Sequence, residues 1–443
     1  MTIARTLADF ASGPVNADAR MQRFVTLSLF DWASVGLAGT GEPVARAARD
    51  MALGRDAARG ATLLGGGRAQ AAQAALVNGA TSHALDYDDT HFGHIGHPSV
   101  AVIPAALAIA ETEGEVADPR AALAVGLEVA CRVGGWLGRS HYEAGFHQTG
   151  TSGAFGATAA AGRMLRLDPE RMAQALCLTA TRAAGLKSQF GTMGKPLNAG
   201  FAAEVGVTSA LLARAGATSA PDAIEGAQGF GPTHVGSAEA SAFNGLGREW
   251  LFPDISYKFH ACCHGLHAML EALREIRDGG VNAAEIESVT VRTHPRWLAV
   301  CNQPEPASGL QAKFSYRLTA AMMLAGVDTA ALDSYSDATC ARADLRALRD
   351  RVRVETDEGL SDSTAEVSVI ASGRIHEARH DILAPADPAL IERRLRDKSA
   401  TLLGEAEAEA LWRAVAGIDE AEGLARLMAR LGARTGQSAA RDG

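Results

Sequence analysis

The chain has 443 residues, carries a formal net charge of −9, and is 47% hydrophobic and 21% charged. That balance suits a soluble globular protein of two domains with a large core, and with no long basic run it argues against nucleic acid as a partner. An acidic substrate would need a local cationic pocket set against the overall field.

Aromatic residues make up only 5% while glycines number 47, so a helix-rich body packed through small side chains is expected. The six cysteines (131, 177, 262, 263, 301, 340) form no C-x-x-C pair, which predicts reduced thiols and a cytoplasmic protein. The N-terminus lacks the apolar core of a signal peptide, and Val100 to Ala110 is too short to span a bilayer, so no membrane partner is expected.

In chain order, helical spacing is predicted for residues 3–13, Met21 to Leu37, Val44 to Ala58 and Ala69 to Leu85. Between the last two, Leu63 to Gly67 reads as a turn. Its three glycines have no following Lys-Ser/Thr, so they are not a phosphate loop. Helices follow at Pro98 to Glu113, Arg120 to Leu137, Thr151 to Leu165, Pro169 to Gly185 and Ala199 to Ala215, with loops at His141 to His147 and Gly185 to Asn198. Ala223 to Gly236 is a glycine-rich loop leading into an irregular link to about Tyr257. Near residue 265 the texture changes. Ile286 to Thr293, Val352 to Thr356, Ala365 to Ala371 and, more weakly, Ile375 to Asp381 read as strands among helices at His264 to Asp278, Ser315 to Ala325 and Ala341 to Arg349. The expected fold is therefore mainly α. A large all-helical domain, 1–264 with 396–443, accompanies a smaller α+β domain, 265–395, and the last ten residues are expected to fray.

One stretch concentrates chemistry. His83 to Ser99 holds four histidines and three aspartates in seventeen residues, between two alanine-rich helices. Titratable groups between apolar helices are costly unless satisfied or used. Asp86 and Thr90 share a face if the first helix runs that far. Pro98 suits a first helical position, which puts His97 beside a helix N-terminus, where the partial positive charge keeps an imidazole neutral. His91, His94 and His97 are spaced like metal ligands, as are His260, His264 and His267, and Asp86, Asp88 and Asp89 could attract a cation. The intervening glycines argue against a shared helical face, and loop histidines that satisfy backbone groups are the favoured reading for His91 and His94. Cys262 or Cys263 as a nucleophile would need His260 or His264 as base, and no local signature supports it. Only five of the 42 basic residues are lysine, and Lys187, Lys195, Lys258 and Lys313 fall in stretches singled out on other grounds. Lysine offers a compact charge of tunable basicity that arginine does not.

Taken together, these pieces resemble the MmgE/PrpD family, whose members include 2-methylcitrate dehydratase, cis-aconitate decarboxylase and iminodisuccinate epimerase. The resemblance rests on Asn78-Gly79, His83-Ala-Leu-Asp-Tyr-Asp-Asp-Thr90, His97-Pro-Ser99, Phe146-His147 and Gly194-Lys195-Pro196. Glu225-Gly226, Gly229-Phe230, Lys258-Phe259 and Lys313-Phe-Ser-Tyr316 complete it over nearly the whole chain. It implies a helical domain with a smaller lid domain, a site between them that uses neither metal nor cofactor, and a homodimer. It also implies pocket positions at Asp86, Thr90, His97, His147, Lys195 and Tyr316. A further pocket histidine of the decarboxylase aligns with Cys262, where this chain departs, with His260 or His264 as the residue that would substitute.

The chemistry this implies is α-proton abstraction from a small di- or tricarboxylate followed by loss of water. Epimerisation of an iminodisuccinate-like dicarboxylate and decarboxylation are the alternatives. His97 or His147 would be the base, and Tyr316 or the other histidine the acid. Lys195, helped by Lys187 or Arg317, would hold the carboxylate, with Asp86 and Thr90 orienting His97.

Overall fold

The computed structural model describes residues 2–53, 60–113 and 118–433. The end of the Val44 to Ala58 helix expected above and the expected fraying of 434–443 lie outside the described residues.

The chain divides into two compact units, Met1–Tyr257 with Leu403–Gly443, and Lys258–Leu402. The first opens with α1 (Ile3–Ser12), α2 (Ala19–Ala38) and α3 (Pro43–Ala52), then a small hairpin of β1 (Ala61–Thr62) and β2 (Arg68–Ala69). It continues with α4 (Ala71–Ser82), α5 (Ser99–Thr112), α6 (Pro119–Glu143), α7 (Gln148–Met164), α8 (Pro169–Ala180), α9 (Gly194–Arg214) and the short α10 (Phe230–Thr233). The second unit holds α11 (His267–Asp278), β3 (Ile286–Thr293), α12 (Gly309–Ala312), α13 (Tyr316–Leu324), α14 (Asp337–Ala341) and α15 (Ala343–Arg349). Strands β4 (Val352–Thr356), β5 (Thr364–Ala371) and β6 (Arg374–Asp381) and helix α16 (Pro388–Leu403) follow. The chain then returns to the first unit with α17 (Glu405–Ala416) and α18 (Gly423–Leu431).

Helices α5 and α7 form the centre of the first unit. Every residue from Ser99 to Ala110 is buried, as is nearly all of α7. A helix apolar on all sides has no solvent face to offer and must be wrapped by others. Here α4, α6 and α9 do the wrapping. Glycines set the spacing. A Cβ on Gly126 of α6 would lie 2.7 Å from the Gly156 carbonyl of α7, and one on Gly206 of α9 would lie 2.5 Å from Ala157. The low aromatic content follows, because helix backbones in contact leave no room for rings. Helix α6 is long and apolar enough to cross a membrane by length and composition, but 83% of that apolar window is buried inside the protein.

The crossing of α4 and α9 is equally tight. A Cβ on Gly79 would fall 2.9 Å from Gly200 Cα and 3.1 Å from the Ala199 carbonyl oxygen. Gly79→Ala gains up to about 1 kcal/mol in helix propensity. It also forces two backbones apart, at a cost of about 1–3 kcal/mol. The steric term wins, so the variant is expected to melt several degrees lower. A melting temperature at or above wild type would show that the two backbones are not in contact.

In the second unit the strand order is β4-β3-β5-β6, with β3 and β4 parallel and the other pairs antiparallel. Val289, Val291, Val367 and Val369 are buried, on the face covered by α11 and α13. Ser372 and Gly373, both at positive φ, make the two-residue turn from β5 to β6. This unit is the smaller α+β portion of a mainly α protein.

Several boundaries differ from the sequence expectation. Helix α4 begins at Ala71, after β2, and ends at Ser82, not Leu85. Helix α6 runs on to Glu143 through a break at Gly138, whose φ is 68°, so His141 is helical and not in a loop. Pro98 stands in the N-cap position, one residue before the first helical one. His264–Leu266 is a separate 3-10 turn before α11.

Candidate active site

Four pieces of the first unit meet around a group of imidazoles: the end of α4, the loop into α5, and the starts of α7 and α9. His83 caps α4, its backbone N–H returning to the Gly79 carbonyl. The chain then leaves the helix, and Asp86 adopts a left-handed φ of 51°, a conformation aspartate tolerates better than most residues. Asp86 and Thr90 therefore do not share a helical face. Thr90 pairs in both directions with the backbone of Ser256, at 2.8 Å each way, and His91 Nε2–H donates to the Leu251 carbonyl at 2.9 Å. The loop then doubles back through a bridge between His91 and Gly96. Ile95 sits at φ 55°, an outlier for a β-branched side chain that costs about 1–3 kcal/mol. A Cβ on Gly96 would lie 2.8 Å from Thr149 N, and the His97 N–H donates to Thr149 Oγ1 at 3.0 Å. These contacts press the loop onto the start of α7, where His147 is the N-cap residue.

Asp88 organises the centre. Its carboxylate lies 2.9 and 3.1 Å from His83 Nδ1 and 2.8 Å from His97 Nδ1. Burial alone would raise the Asp88 pKa, but the two imidazoles outweigh it and hold the group well below the usual carboxylate range. An ionised carboxylate only accepts hydrogen bonds, so His83 Nδ1 carries a proton, and the 2.8 Å approach of His97 Nδ1 to the same carboxylate favours that tautomer in a neutral His97 too, with the lone pair on Nε2. That Nε2 is 3.6 Å from Asp86 Oδ1, while Asp86 Oδ2 pairs with Lys195 Nζ at 2.6 Å. The carboxylate that orients His97 is thus Asp88; Asp86 stands on the opposite side of the ring.

His147 has the opposite polarity. Its Nδ1 accepts from the Asn198 amide at 3.1 Å, so a neutral His147 carries its proton on Nε2. Burial first, then the nearby His83, Lys195 and His97, push its pKa well below 6.5, which keeps it a neutral donor. The Phe190 ring stands edge-on to His147 at 4.9 Å and lies 5.4 Å from Lys195 Nζ.

The two remaining acidic and basic members of the loop serve structure. Ser99 Oγ donates to Asp89 Oδ2 at 2.5 Å, and burial raises the Asp89 pKa to about 8. His94 bonds Ser152 Oγ at 2.9 Å through Nε2, and burial lowers its pKa to about 3. Single atoms of His83, Asp86, Asp88 and His97 lie within 4.8 Å of one another, dense enough to attract a cation. Each of the four already has at least one polar atom directed at another member of the group or at Lys195.

The other residues expected at the site have neighbours of their own. Lys187 donates to the Tyr142 carbonyl at 2.9 Å and sits 3.8 Å above that ring. Tyr316, Arg317, Cys262 and His264 belong to the second unit. Tyr316 is fully buried and donates its hydroxyl to the Gly265 carbonyl at 2.7 Å. Burial pushes the Cys262 thiol to about 12. Arg317 faces the Arg349 carbonyl and Asp350, each at 3.3 Å, and the His264 ring packs 4.8 Å from that of His267. A concavity of about 980 Å³ lined by Trp412, Arg413, Glu420, Arg426 and Arg430 contains no imidazole. Sequence reading gave His83 and Asn198 no role and took Asp88 only as a possible cation ligand. Only the density of titratable residues around His83 and Asp88 hinted at their use.

A mainly α protein with buried histidines and a buried aspartate beside a half-buried lysine between apolar helices, followed by a small mixed-sheet unit, defines the class. The chain belongs to the MmgE/PrpD family: the MmgE/PrpD N-terminal domain matches residues 5–242 and the C-terminal domain residues 260–420. The cis-aconitate decarboxylase-like protein oryM of Aspergillus oryzae is 31% identical over 223 residues, 46% of either chain. Human cis-aconitate decarboxylase is 28% identical over 302 residues, 64% of this chain and 61% of that one. The Aspergillus terreus cis-aconitate decarboxylase is 31% identical over 220 residues, 46% of this chain and 45% of that one. The chain thus spans about half to three fifths of the length of the curated relatives it matches.

Proposed function

We propose that this chain is a lyase, free of metal and cofactor, that acts on a small di- or tricarboxylate by α-proton abstraction and loss of water, as a homodimer in the cytosol. The observation that carries the reading is the opposite polarity of two neighbouring imidazoles. His97 offers a lone pair at Nε2 beside the Asp86–Lys195 pair. His147 offers a proton at Nε2. Removing a proton next to a carboxylate places extra negative charge on it, which fixed positive charge and oriented donors stabilise. In this reading a substrate carboxylate shares Lys195 with Asp86, and His97 Nε2 takes the α-proton. The C–H pair becomes the alkene as the C–O bond breaks. His147 Nε2–H donates to the departing oxygen, as neutral imidazoles do elsewhere, and the His97 imidazolium, stabilised by Asp88, returns its proton to the hydroxide. Tyr316, whose hydroxyl is engaged with Gly265, is not assigned a role in this step.

Decarboxylation is the second reading, favoured by the names of the relatives. It would use the same proton-handling groups, with the imidazolium protonating the carbanion left by carbon dioxide. Proton NMR in heavy water with 2-methylcitrate, citrate, cis-aconitate and iminodisuccinate separates the cases. An alkene formed by loss of water is the expected result. Loss of a carboxyl carbon selects the decarboxylase, and α-deuteration with inversion but no elimination selects the epimerase. No change with any of the four would place the substrate outside this set.

A further inference from the structure

His97 and His147 have roles in this reading, but a third imidazole packs against both. The His83 ring lies 4.6 Å from that of His97 and 6.1 Å from that of His147. It is 1% exposed. Its Nδ1 bonds Asp88, the carboxylate that also lies 2.8 Å from His97 Nδ1, while its Nε2 is buried and has no hydrogen-bond partner among the described residues. An imidazole with an idle buried nitrogen costs more than an apolar ring of similar size, so packing alone does not account for His83.

Asp88 carries one negative charge and faces two imidazoles, enough to stabilise a single imidazolium. We propose that Asp88 and His83 are positioning residues for His97. Asp88 fixes His97 Nε2 as the proton acceptor, and His83, by drawing on the same carboxylate, limits how tightly His97 holds the proton it takes. The proposal rests on the reading of His97 as base. A carboxylate at Nδ1 sets the tautomer and stabilises the imidazolium. Too strong a stabilisation would leave His97 protonated before a substrate arrives, and a base works best when its affinity matches the working pH. The other groups around His97 are Asp86, which favours the imidazolium, and Lys195, His147 and His94, which oppose it.

Histidine-selective NMR on the full chain tests this without a known substrate. In the wild type, the nitrogens bearing protons in neutral His83 and His97 should both be Nδ1. In His83→Phe the His97 titration midpoint should rise by about one pH unit, and in Asp88→Asn it should fall by about one unit or more. In His83→Asn, which keeps a donor toward Asp88, it should stay near wild type. A neutral His97 with its bare nitrogen at Nδ1 would overturn the proposal, and so would an unmoved midpoint in folded Asp88→Asn. The wild-type tautomer decides even if a variant fails to fold. If the midpoints move but no polycarboxylate reacts, the relay stands and the lyase reading falls. If turnover is found and the acid limb of kcat/KM follows the midpoints, both stand.

Discussion

Replacing His97 with glutamine is expected to lower kcat about a thousandfold or more while the protein still folds. Acid–base catalysis by one positioned group is worth about 10²–10⁴, and the proposed cycle uses His97 twice, first as base and then as the acid that returns the proton. The loss lies toward the upper end, about 4–5 kcal/mol of barrier. The folding cost is smaller. The backbone bond from His97 N–H to Thr149 does not depend on the side chain. Asp88 keeps His83 as a donor, so its buried charge is not abandoned, and the loss of one charge-assisted bond costs about 1.5–3 kcal/mol. The Asp86–Lys195 pair is untouched, so KM should change little, the pattern of an interaction made mainly in the transition state. Steady-state kinetics on the substrate found by NMR, with a thermal melt alongside, is the check. Turnover within tenfold of wild type in a folded His97→Gln protein would remove His97 from the role of base.

The sequence marked out the candidate site but did not reveal how its atoms connect. Composition marked out the stretch from His83 to Ser99, and the rarity of lysine drew attention to Lys195. The strands of the second unit were legible because β-branched residues alternate there, and each falls within a residue or so of its expected place. The end of α4 was not legible. Nothing in an alanine-rich run says that it stops at Ser82, and Asp86 became a face-mate of Thr90 only by extending the helix too far. The pairing of His83 with Asp88 crosses five positions of irregular backbone, where neither the helical nor the strand period applies. The same scarcity of lysine pointed to Lys187, whose ammonium turns to Tyr142, because residue type reports chemical capacity and not direction. The reading of His91 as a group serving the backbone agrees with its bond to the Leu251 carbonyl, whereas the His94 ring bonds a side chain, the Ser152 hydroxyl of α7.

Arg132→Met is expected to destabilise the protein by about 3–5 kcal/mol, though Arg132 is no part of the site. Arg132 is 1% exposed and Glu128 0%. They pair at 2.6 Å one turn apart on α6, in a stretch that reads from sequence only as a buried helix. The Arg132 guanidinium also donates to the carbonyls of Ala242, Asn244 and Glu249. Glu128 accepts the backbone N–H groups of Leu251 and Phe252 at 2.9 and 3.0 Å. An irregular segment with little regular pairing of its own is thereby tied to a central helix. That segment then holds the histidine loop through Leu251 to His91 and Ser256 to Thr90. Methionine fills the volume but strands the Glu128 carboxylate, whose pKa burial already raises, and leaves three carbonyls without their donor. Removing both charges should cost less than removing one, because the desolvation penalty of the orphaned carboxylate disappears. Arg132→Met with Glu128→Gln should therefore melt higher than Arg132→Met alone, and a double-mutant cycle measures the difference. If the single variant melts within about a degree of wild type, the pair does not hold the segment. If it melts lower but keeps full turnover at a temperature where it is folded, the segment does not hold the histidine loop in its working geometry.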